Sequence, residues 1–170
     1  PERNRSWGEK LRRKLVTSTL PYPKRFKLAA MTGRLAKPLA PLLPSSLSVM
    51  LDLLPAESVP SAAPLPGVIP AEGKTRGRVA LLLGCAQQVL DPDINTATIP
   101  PSQGCCGALS WHVGEMEDAQ RFARRNLAAF PADVDAIITN AAGCGSGIHE
   151  YPLILKGTPE EAAAKSLAER

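Results

Sequence analysis

The sequence predicts an α/β fold, a small parallel sheet flanked by helices and preceded by a short helical region. Two apolar runs predict the strands, because buried parallel strands are typically continuous in apolar residues and end at glycine or small residues. These runs are "RVALLLGC", which begins at Arg78, and "VDAIITNAAGCG", with a strand from Val134 to Thr139. An amphipathic helical pattern over residues 115–130 lies between them. This order of strand, helix and strand indicates parallel strands.

The residues before the first strand divide into a basic helical region, 1–54, and a proline-rich linker, 55–77. In the helical region, "WGEKLRRKLVTSTL" and "KRFKLAAMTGRLAK" predict two helices, which Pro21–Tyr22–Pro23 separates. A third helix is predicted for "SSLSVMLDLL", with Ser45 or Ser46 as its N-cap. The linker carries five prolines and three glycines without sustained periodicity, which favours a linker or an extended strap.

The third predicted domain, residues 78–170, contains the sheet. Its central helix has an acidic first turn, which suits the positive end of the helix dipole. The stretch "DPDINTATI" predicts a helix start with Asp91 as N-cap and Pro92 at the first helical position. The stretch "TPEEAAAKSLAE" predicts a closing helix with a capping box from Thr158 to Glu161. The apolar face of the central helix is formed by Met116, Ala119, Phe122, Ala123 and Leu127.

The net charge of +4 is distributed unevenly along the chain. Residues 1–37 hold eleven Lys or Arg against two acids, whereas the rest holds nine bases and fourteen acids. Clustered positive charge attracts phosphates, but this region lacks interleaved aromatic residues and prolines cut it into short helices. We therefore expect no nucleic acid partner. A solvated helical face, or a docking surface for a partner subunit or an anionic membrane, explains the charge better.

The chain has no apolar run near the roughly 20 residues that cross a bilayer, and its first residues do not resemble an export signal. Four cysteines without an export signal favour reduced thiols. We therefore expect a cytoplasmic protein, with peripheral contact at the inner face of the membrane as an extension of that expectation. The sequence contains no nucleotide-binding glycine loop and no Ser-His-Asp order, so no catalytic residue is assigned.

Four cysteines are the candidate functional residues, and each one lies beside a glycine or in a pair flanked by glycines. Cys85 follows the first predicted strand and Cys144 follows the second, so both are expected at the same edge of the sheet. Converging thiolates can bind an iron–sulphur cluster or a structural zinc ion. Thiol redox chemistry and inert thiols remain alternatives, because no compact Cys-x-x-Cys pair is present. The remaining two cysteines are Cys105 and Cys106.

Three segments of the chain carry a resemblance to a known family. They are "VALLLGCAQQVLDPDINTAT", "PPSQGCCGALSWHVGEMEDAQRFARRN" and "AIITNAAGCGSGIHEYP". These segments resemble the glycolate oxidase iron–sulphur subunits and their cysteine-rich CCG domain, which is shared with heterodisulfide reductase-type electron-transfer proteins. The basic region through "PLAPLLP" and "PAEG" resembles the interdomain region of the same subunits. The resemblance therefore covers most of the chain.

The resemblance implies an iron–sulphur, electron-transfer subunit of a glycolate oxidase (glycolate dehydrogenase) complex. It implies that partner subunits contain FAD, oxidise glycolate to glyoxylate and pass electrons to this subunit. It also implies that this subunit passes the electrons on towards the respiratory chain, which its basic region would contact. It also implies that the four cysteines bind a cluster of the 4Fe–4S type, with Gly104 and Gly107 as cofactor-binding glycines around the central pair. This chain alone is expected to be inactive.

This chain departs from the family pattern in two places. The full motif ends Cys-x-x-Cys, whereas the corresponding last position here is Gly147. Nineteen residues separate Cys85 from Cys105, where the family places a helix and a further strand. A strand–helix–strand unit takes about 30 residues or more. We therefore expect a missing helix–strand segment between about Ile99 and Pro100, which makes the CCG domain partial.

Other interpretations of the same residues remain open. The domain could be a non-catalytic structural or interaction module whose cysteines bind zinc or nothing. It could also be the equivalent subunit of a lactate or heterodisulfide oxidoreductase. His112 and His149 are further ligand candidates, although a loop histidine bonded to backbone is the preferred interpretation of each. The ferredoxin-like part and the second CCG domain of the family would lie outside this chain, which is expected to be an internal piece.

Overall fold

The computed structural model divides into two compact units, which are considered separately. The helical unit contains residues 6–54 and 85–90. The sheet unit contains residues 76–84 and 102–170. The residues that the structure describes are 6–54, 70, 73–74, 76–90, 100 and 102–170.

The helical unit consists of four α-helices and one 3-10 helix. They are α1 (Trp7–Thr19), α2 (Pro23–Ala36), the 3-10 helix (Lys37–Leu42), α3 (Ser45–Asp52) and α4 (Gln87–Leu90). The first two helices lie where their patterns predict them, because Ser6 caps α1 and the proline at the start of α2 suits its first helical position.

The N-cap predicted for α3 is wrong. The helix begins at Ser45, its N-cap residue is Pro44, and no side chain caps it. Pro44 has an extended backbone, and its carbonyl accepts hydrogen bonds from the backbone N–H groups of Leu47 and Ser48. The proline therefore starts the helix by conformation, and a serine hydroxyl is not required for it.

Apolar side chains of the helical unit surround a cavity of about 410 Å³. On α2 the cavity is lined by Phe26, Ala30 and Gly33. Many apolar side chains nevertheless remain in contact with solvent, with Leu35 and Leu42 more than 80% exposed. In this unit the helices are set by their local sequence, while little of their apolar surface is buried.

The sheet unit contains two parallel strands, β1 (Val79–Leu81) and β2 (Ala136–Ile138), with Ala80 opposite Ile137. Five helices flank them, which confirms the predicted α/β fold with a small parallel sheet. Those helices are α5 (Ala108–His112), α6 (Met116–Ala129), α7 (Ala142–His149), α8 (Tyr151–Ile154) and α9 (Glu161–Ala168).

The two strands differ in burial. Ala80 and Leu81 of β1 are buried, as predicted, but the prediction of a buried second strand is wrong because Ile138 is 43% exposed. The strand is also shorter than the predicted span. Among the described residues each strand pairs with a strand on one side only, so this difference in burial does not come from strand pairing.

The helices of the sheet unit form its core. The predicted central helix is confirmed as α6, whose Ala119, Phe122 and Ala123 are buried. Cys144 was expected in a loop, but it lies in helix α7. The predicted capping box of α9 is also wrong: the helix starts at Glu161, whose carboxylate accepts from the N–H of Gly157.

Several predictions concern residues outside the described part of the chain. The helix start at "DPDINTATI", most of the proline-rich linker and the proposed break near Ile99 fall there. Within the part of the chain that the structure describes, no helix is long and apolar enough to cross a membrane.

Candidate functional site

The adjacent cysteines lie in a loop of the sheet unit, residues 102–107, which we call the cysteine loop. Cys105 and Cys106 are each 5% exposed, and helix α5 begins directly after them. Cys144, on α7, is partly buried. None of the chain's four cysteines, all of them among the described residues, forms a disulfide.

The side chain of Cys106 interacts with the side chains of Cys105 and Cys144. Hydrogen bonding by the side chain of Cys105, and then by that of Cys144, holds the pKa of the Cys106 thiol well below its ordinary range. Burial acts in the opposite direction, while backbone N–H groups of Ala108 and of Cys106 itself add to the lowering. The thiolate, which is the form that binds metals, is therefore favoured at Cys106.

Gly107 closes the cysteine loop in a conformation that suits glycine. Its φ is 84°, in the left-handed region, and a Cβ at this position would lie 3.1 Å from the Cβ of Phe122. The N–H of Gly107 points to the sulphur of Cys105 at 3.5 Å. This residue therefore supplies both the turn and a hydrogen bond to a thiol.

Gln103 attaches the cysteine loop to strand β1. Its side-chain oxygen accepts from the N–H of Leu83, and its side-chain nitrogen donates to the carbonyl of Leu81, both at 2.9 Å. The N–H of Leu82, between them, pairs instead with the carbonyl of Ile138 on β2. The amide of Gln103 therefore satisfies the edge of β1 that faces away from β2, as a further strand would.

Two buried polar side chains attach the loop to the helices behind it. The Asn126 side chain accepts from the N–H of Gly104 at 2.9 Å and donates to the carbonyl of Cys105 at 3.0 Å. It also donates to the Tyr151 hydroxyl, which in turn donates to the carbonyl of Cys106 at 2.9 Å. Burial raises the pKa of Tyr151, so this hydroxyl keeps its proton.

Arg125 covers the outer side of the same loop. Its Nε donates to the carbonyl of Ser102 at 2.8 Å, and a Cβ at Gly104 would lie 3.0 Å from the Arg125 Cδ. Gly104 thus lies closely under the arginine side chain, and a larger residue there would displace it.

The remaining candidates lie elsewhere. Cys85 belongs to the helical unit, directly before α4, so the structure brings three of the four predicted ligands into one unit. The expected histidine loops are helix ends instead. His112, at the end of α5, lies 3.0 Å from the Glu150 carboxylate, and His149, at the end of α7, is exposed.

The donor atoms present fit an iron–sulphur cluster or a zinc ion. They are thiols, one with a strongly lowered pKa, together with backbone N–H groups that donate to sulphur. Ser110, one turn after Cys106, has a fully buried hydroxyl without a hydrogen-bond partner among the described residues. In that part of the chain no three His, Cys, Asp or Glu side chains are already arranged around a metal position. The site therefore supplies donors without a completed ligand shell.

Sequence reasoning missed the side chains that hold the cysteine loop. Asn126 could have been found, because it follows Phe122 and Ala123 by one helical turn on the buried face of α6. A polar residue in that register indicates a buried hydrogen-bond network. Gln103 and Tyr151 carry no comparable signal, since their roles depend on the position of distant backbone.

Comparison with known proteins agrees with the cysteine pattern. Residues 79–149 match the family described as CCG, cysteine-rich domain. The chain is 40% identical to the "Probable glycolate oxidase iron-sulfur subunit" of Bacillus subtilis (strain 168), over 70% of this chain and 30% of that protein. It is 32% identical to the "Glycolate oxidase iron-sulfur subunit" of Escherichia coli (strain K12), over 87% of this chain and 37% of that protein.

A third relative has a different name. "Lactate utilization protein A" of Geobacillus thermodenitrificans (strain NG80-2) is 31% identical over 54% of this chain and 43% of that protein. The chain thus spans about a third of the length of the two glycolate oxidase relatives it matches. No solved structure matches it.

Proposed function

Because residues 79–149 belong to the CCG cysteine-rich domain family, we propose that this chain binds an iron–sulphur cluster and carries electrons in a glycolate oxidase-type complex. The observation that carries the proposal is the buried contact of the Cys106 thiol with Cys105 and Cys144. The names of the relatives, both iron–sulphur subunits, support it.

The proposed ligands are the three thiols of the sheet unit, and Cys85 stays a prediction from the sequence as the fourth. When bound, a cluster of the 4Fe–4S type would supply a site that accepts and releases electrons. The chain's own contribution is to keep thiolates available, to donate backbone N–H groups to sulphur, and to exclude water from Cys105 and Cys106. Gly107 supports this role through its positive φ and its N–H, and Gly104 through the close packing it allows.

The substrate chemistry would belong to other subunits. In the proposed complex, a partner with FAD oxidises glycolate to glyoxylate and passes the electrons to this chain, which alone is inactive. The basic helical region is the proposed contact with such a partner or with the inner face of the membrane, in a cytoplasmic setting. Its charge supports this, because residues 1–37 carry a large excess of Lys and Arg.

A second candidate substrate follows from one comparison. The likeness to lactate utilization protein A supports a complex that oxidises lactate, a 2-hydroxy acid one methyl group larger than glycolate. A complex isolated through a tag on this chain separates the two: dye reduction that depends on glycolate supports the first proposal, and reduction with lactate alone supports the second.

The direct test is the iron, zinc and acid-labile sulphide content of the chain purified without oxygen, together with its visible absorption. We expect iron and sulphide in matching amounts, and loss of both in Cys106→Ser. Cys85→Ser tests the fourth ligand separately. If this variant also loses its iron, Cys85 is assigned to the site. Ser146→Ala, an exposed position on α7 near Cys144, is the matched control and keeps its iron.

Two outcomes contradict the proposal. Zinc without iron or visible absorption means a structural site, as in the alternative module. A chain that stays free of metal, although its circular dichroism shows the helices intact, means that these thiols do not bind a metal at all.

A further inference from the structure

We propose that Asn126 and Tyr151 are positioning residues, which orient the backbone N–H groups of the cysteine loop towards the thiols of Cys105 and Cys106. The inference concerns the loop itself and holds for the chain without metal. Only its consequence for a bound cluster rests on the proposed function.

The two side chains hold consecutive carbonyl groups on one side of the loop. Asn126 donates to the carbonyl of Cys105 at 3.0 Å, and Tyr151 donates to the carbonyl of Cys106 at 2.9 Å. A bond of 2.8 Å from the Asn126 amide to the Tyr151 hydroxyl joins them. Both side chains are 0% exposed, so water does not compete for these carbonyls.

Because each peptide unit is planar, fixing its carbonyl also fixes its N–H group on the other side of the loop. No described peptide bond is cis, and in a trans peptide the carbonyl and the following N–H point in opposite directions. Holding the Cys105 carbonyl therefore turns the N–H of Cys106 away from Asn126. Holding the Cys106 carbonyl likewise turns the N–H of Gly107 away from Tyr151.

One of these N–H groups meets a thiol: the N–H of Gly107 lies 3.5 Å from the sulphur of Cys105. Asn126 also accepts from the N–H of Gly104, which fixes the start of the same turn. One buried pair thus determines the direction of two successive peptide planes beside the thiols.

The pair donates its hydrogen bonds to the two cysteine carbonyls, which apolar residues of similar shape would leave buried and unpaired. Because hydrogen bonds to sulphur help set the reduction potential of an iron–sulphur cluster, the pair would tune a cluster bound here.

The test compares three variants of the 170-residue chain. Tyr151→Phe removes only the hydroxyl, and Asn126→Leu replaces the amide by an apolar side chain with the same number of non-hydrogen atoms. Gln120→Met is the matched control, because Gln120 is also on α6 and its amide donates to a backbone carbonyl, that of Ile154, away from the cysteine loop. The first measurement is amide hydrogen exchange in the metal-free, reduced chain.

We expect the N–H groups of Cys106 and Gly107 to exchange roughly tenfold faster in Tyr151→Phe, since one buried hydrogen bond has been lost. Asn126→Leu should have a larger effect on the same two groups. Amides of α9 should keep their exchange rates in both variants, and Gln120→Met should leave the loop unchanged.

The second measurement is the midpoint potential of chain loaded with iron and sulphide. It should become more negative in Tyr151→Phe and stay unchanged in Gln120→Met. If the unaltered chain takes up no iron, the proposed function fails, while the exchange measurement still decides the positioning role.

Three results would overturn the positioning role. Unchanged loop exchange in both variants would mean that the carbonyls do not control the N–H groups. Faster exchange in α9 as well as in the loop would mean a general role in the core. Loss of folding in both variants, with Gln120→Met folded, would lead to the same conclusion.

Discussion

The helical unit and the sheet unit use their apolar residues differently. In the sheet unit, large side chains such as Leu82, Tyr151 and Leu155 are completely buried, and buried polar side chains bond the backbone of the cysteine loop. In the helical unit, Leu35 and Leu42 are mostly exposed, and the helices lie where their local sequence pattern predicts them. Tight packing therefore fixes the candidate site, whereas the helical unit has room to adjust.

The largest effect is expected from Gly107→Ala in the sheet unit. The left-handed conformation costs an alanine about 1–2 kcal/mol, and the close contact with Phe122 adds a packing cost of similar size. We expect the free energy of unfolding to fall by about 3 kcal/mol in total. Urea unfolding followed by Trp111 fluorescence, in a Trp7→Phe background, measures this unit separately.

Gly157→Ala is the matched control for that substitution. Gly157 also has a positive φ, 75°, but nothing lies within 4 Å of its Cβ position. It should therefore lose only the conformational part, about 1 kcal/mol. Equal losses of unfolding free energy in Gly107→Ala and Gly157→Ala would show that packing around Gly107 is loose. The sheet unit would then not be packed more tightly than the helical unit at this site.

A smaller effect is expected from alanine at two helical glycines, one in each unit, where the added Cβ would lie equally close, 2.7 Å, to a neighbouring carbon. A Cβ at Gly147 would lie 2.7 Å from the Cβ of Ala108, and one at Gly33 would lie 2.7 Å from a terminal methyl of Leu54. Ala108 cannot move without its backbone, whereas Leu54 borders the cavity of the helical unit. Gly147→Ala should destabilise the sheet unit by about 2 kcal/mol, and Gly33→Ala should change stability by less than about 0.5 kcal/mol.

Hydrogen exchange of α2 and α7 amides in urea measures the two variants within their own units. Gly143→Ala is the control on α7, because nothing lies within 4 Å of its Cβ position, and it should be neutral or stabilising. The same contact explains why a cysteine at position 147, as in the full family motif, does not fit this chain. A stable Gly147→Cys variant would contradict that explanation.

The smallest effect is expected on the surface of the helical unit. Leu42 is 83% exposed, so Leu42→Ser removes little buried apolar area and should change the free energy of unfolding by less than about 0.5 kcal/mol. Thermal unfolding of the helical signal in circular dichroism checks this. A loss of several degrees would mean that the exposed leucines are covered in solution.

The patterns of the sequence predicted most elements and part of the site. Apolar runs located β1 and β2, and the apolar stripe located α6, because these patterns reflect burial against neighbouring elements. Gly107, one of the glycines beside the cysteines, forms a tight turn through its positive φ. Element ends were less predictable, since Pro44 rather than a serine is the N-cap of α3, and α9 begins at Glu161 without the capping box predicted from Thr158.

The sequence by itself determined the cysteine positions, the helix and strand periods, and the basic character of residues 1–37. These are local properties, which depend on residue type and spacing along the chain. Two further features come from tertiary packing alone. Cys144 lies against Cys106, and Asn126 and Tyr151 donate hydrogen bonds to the carbonyls of Cys105 and Cys106. Such contacts join residues 21 to 45 positions apart, and only packing of the helices brings them together.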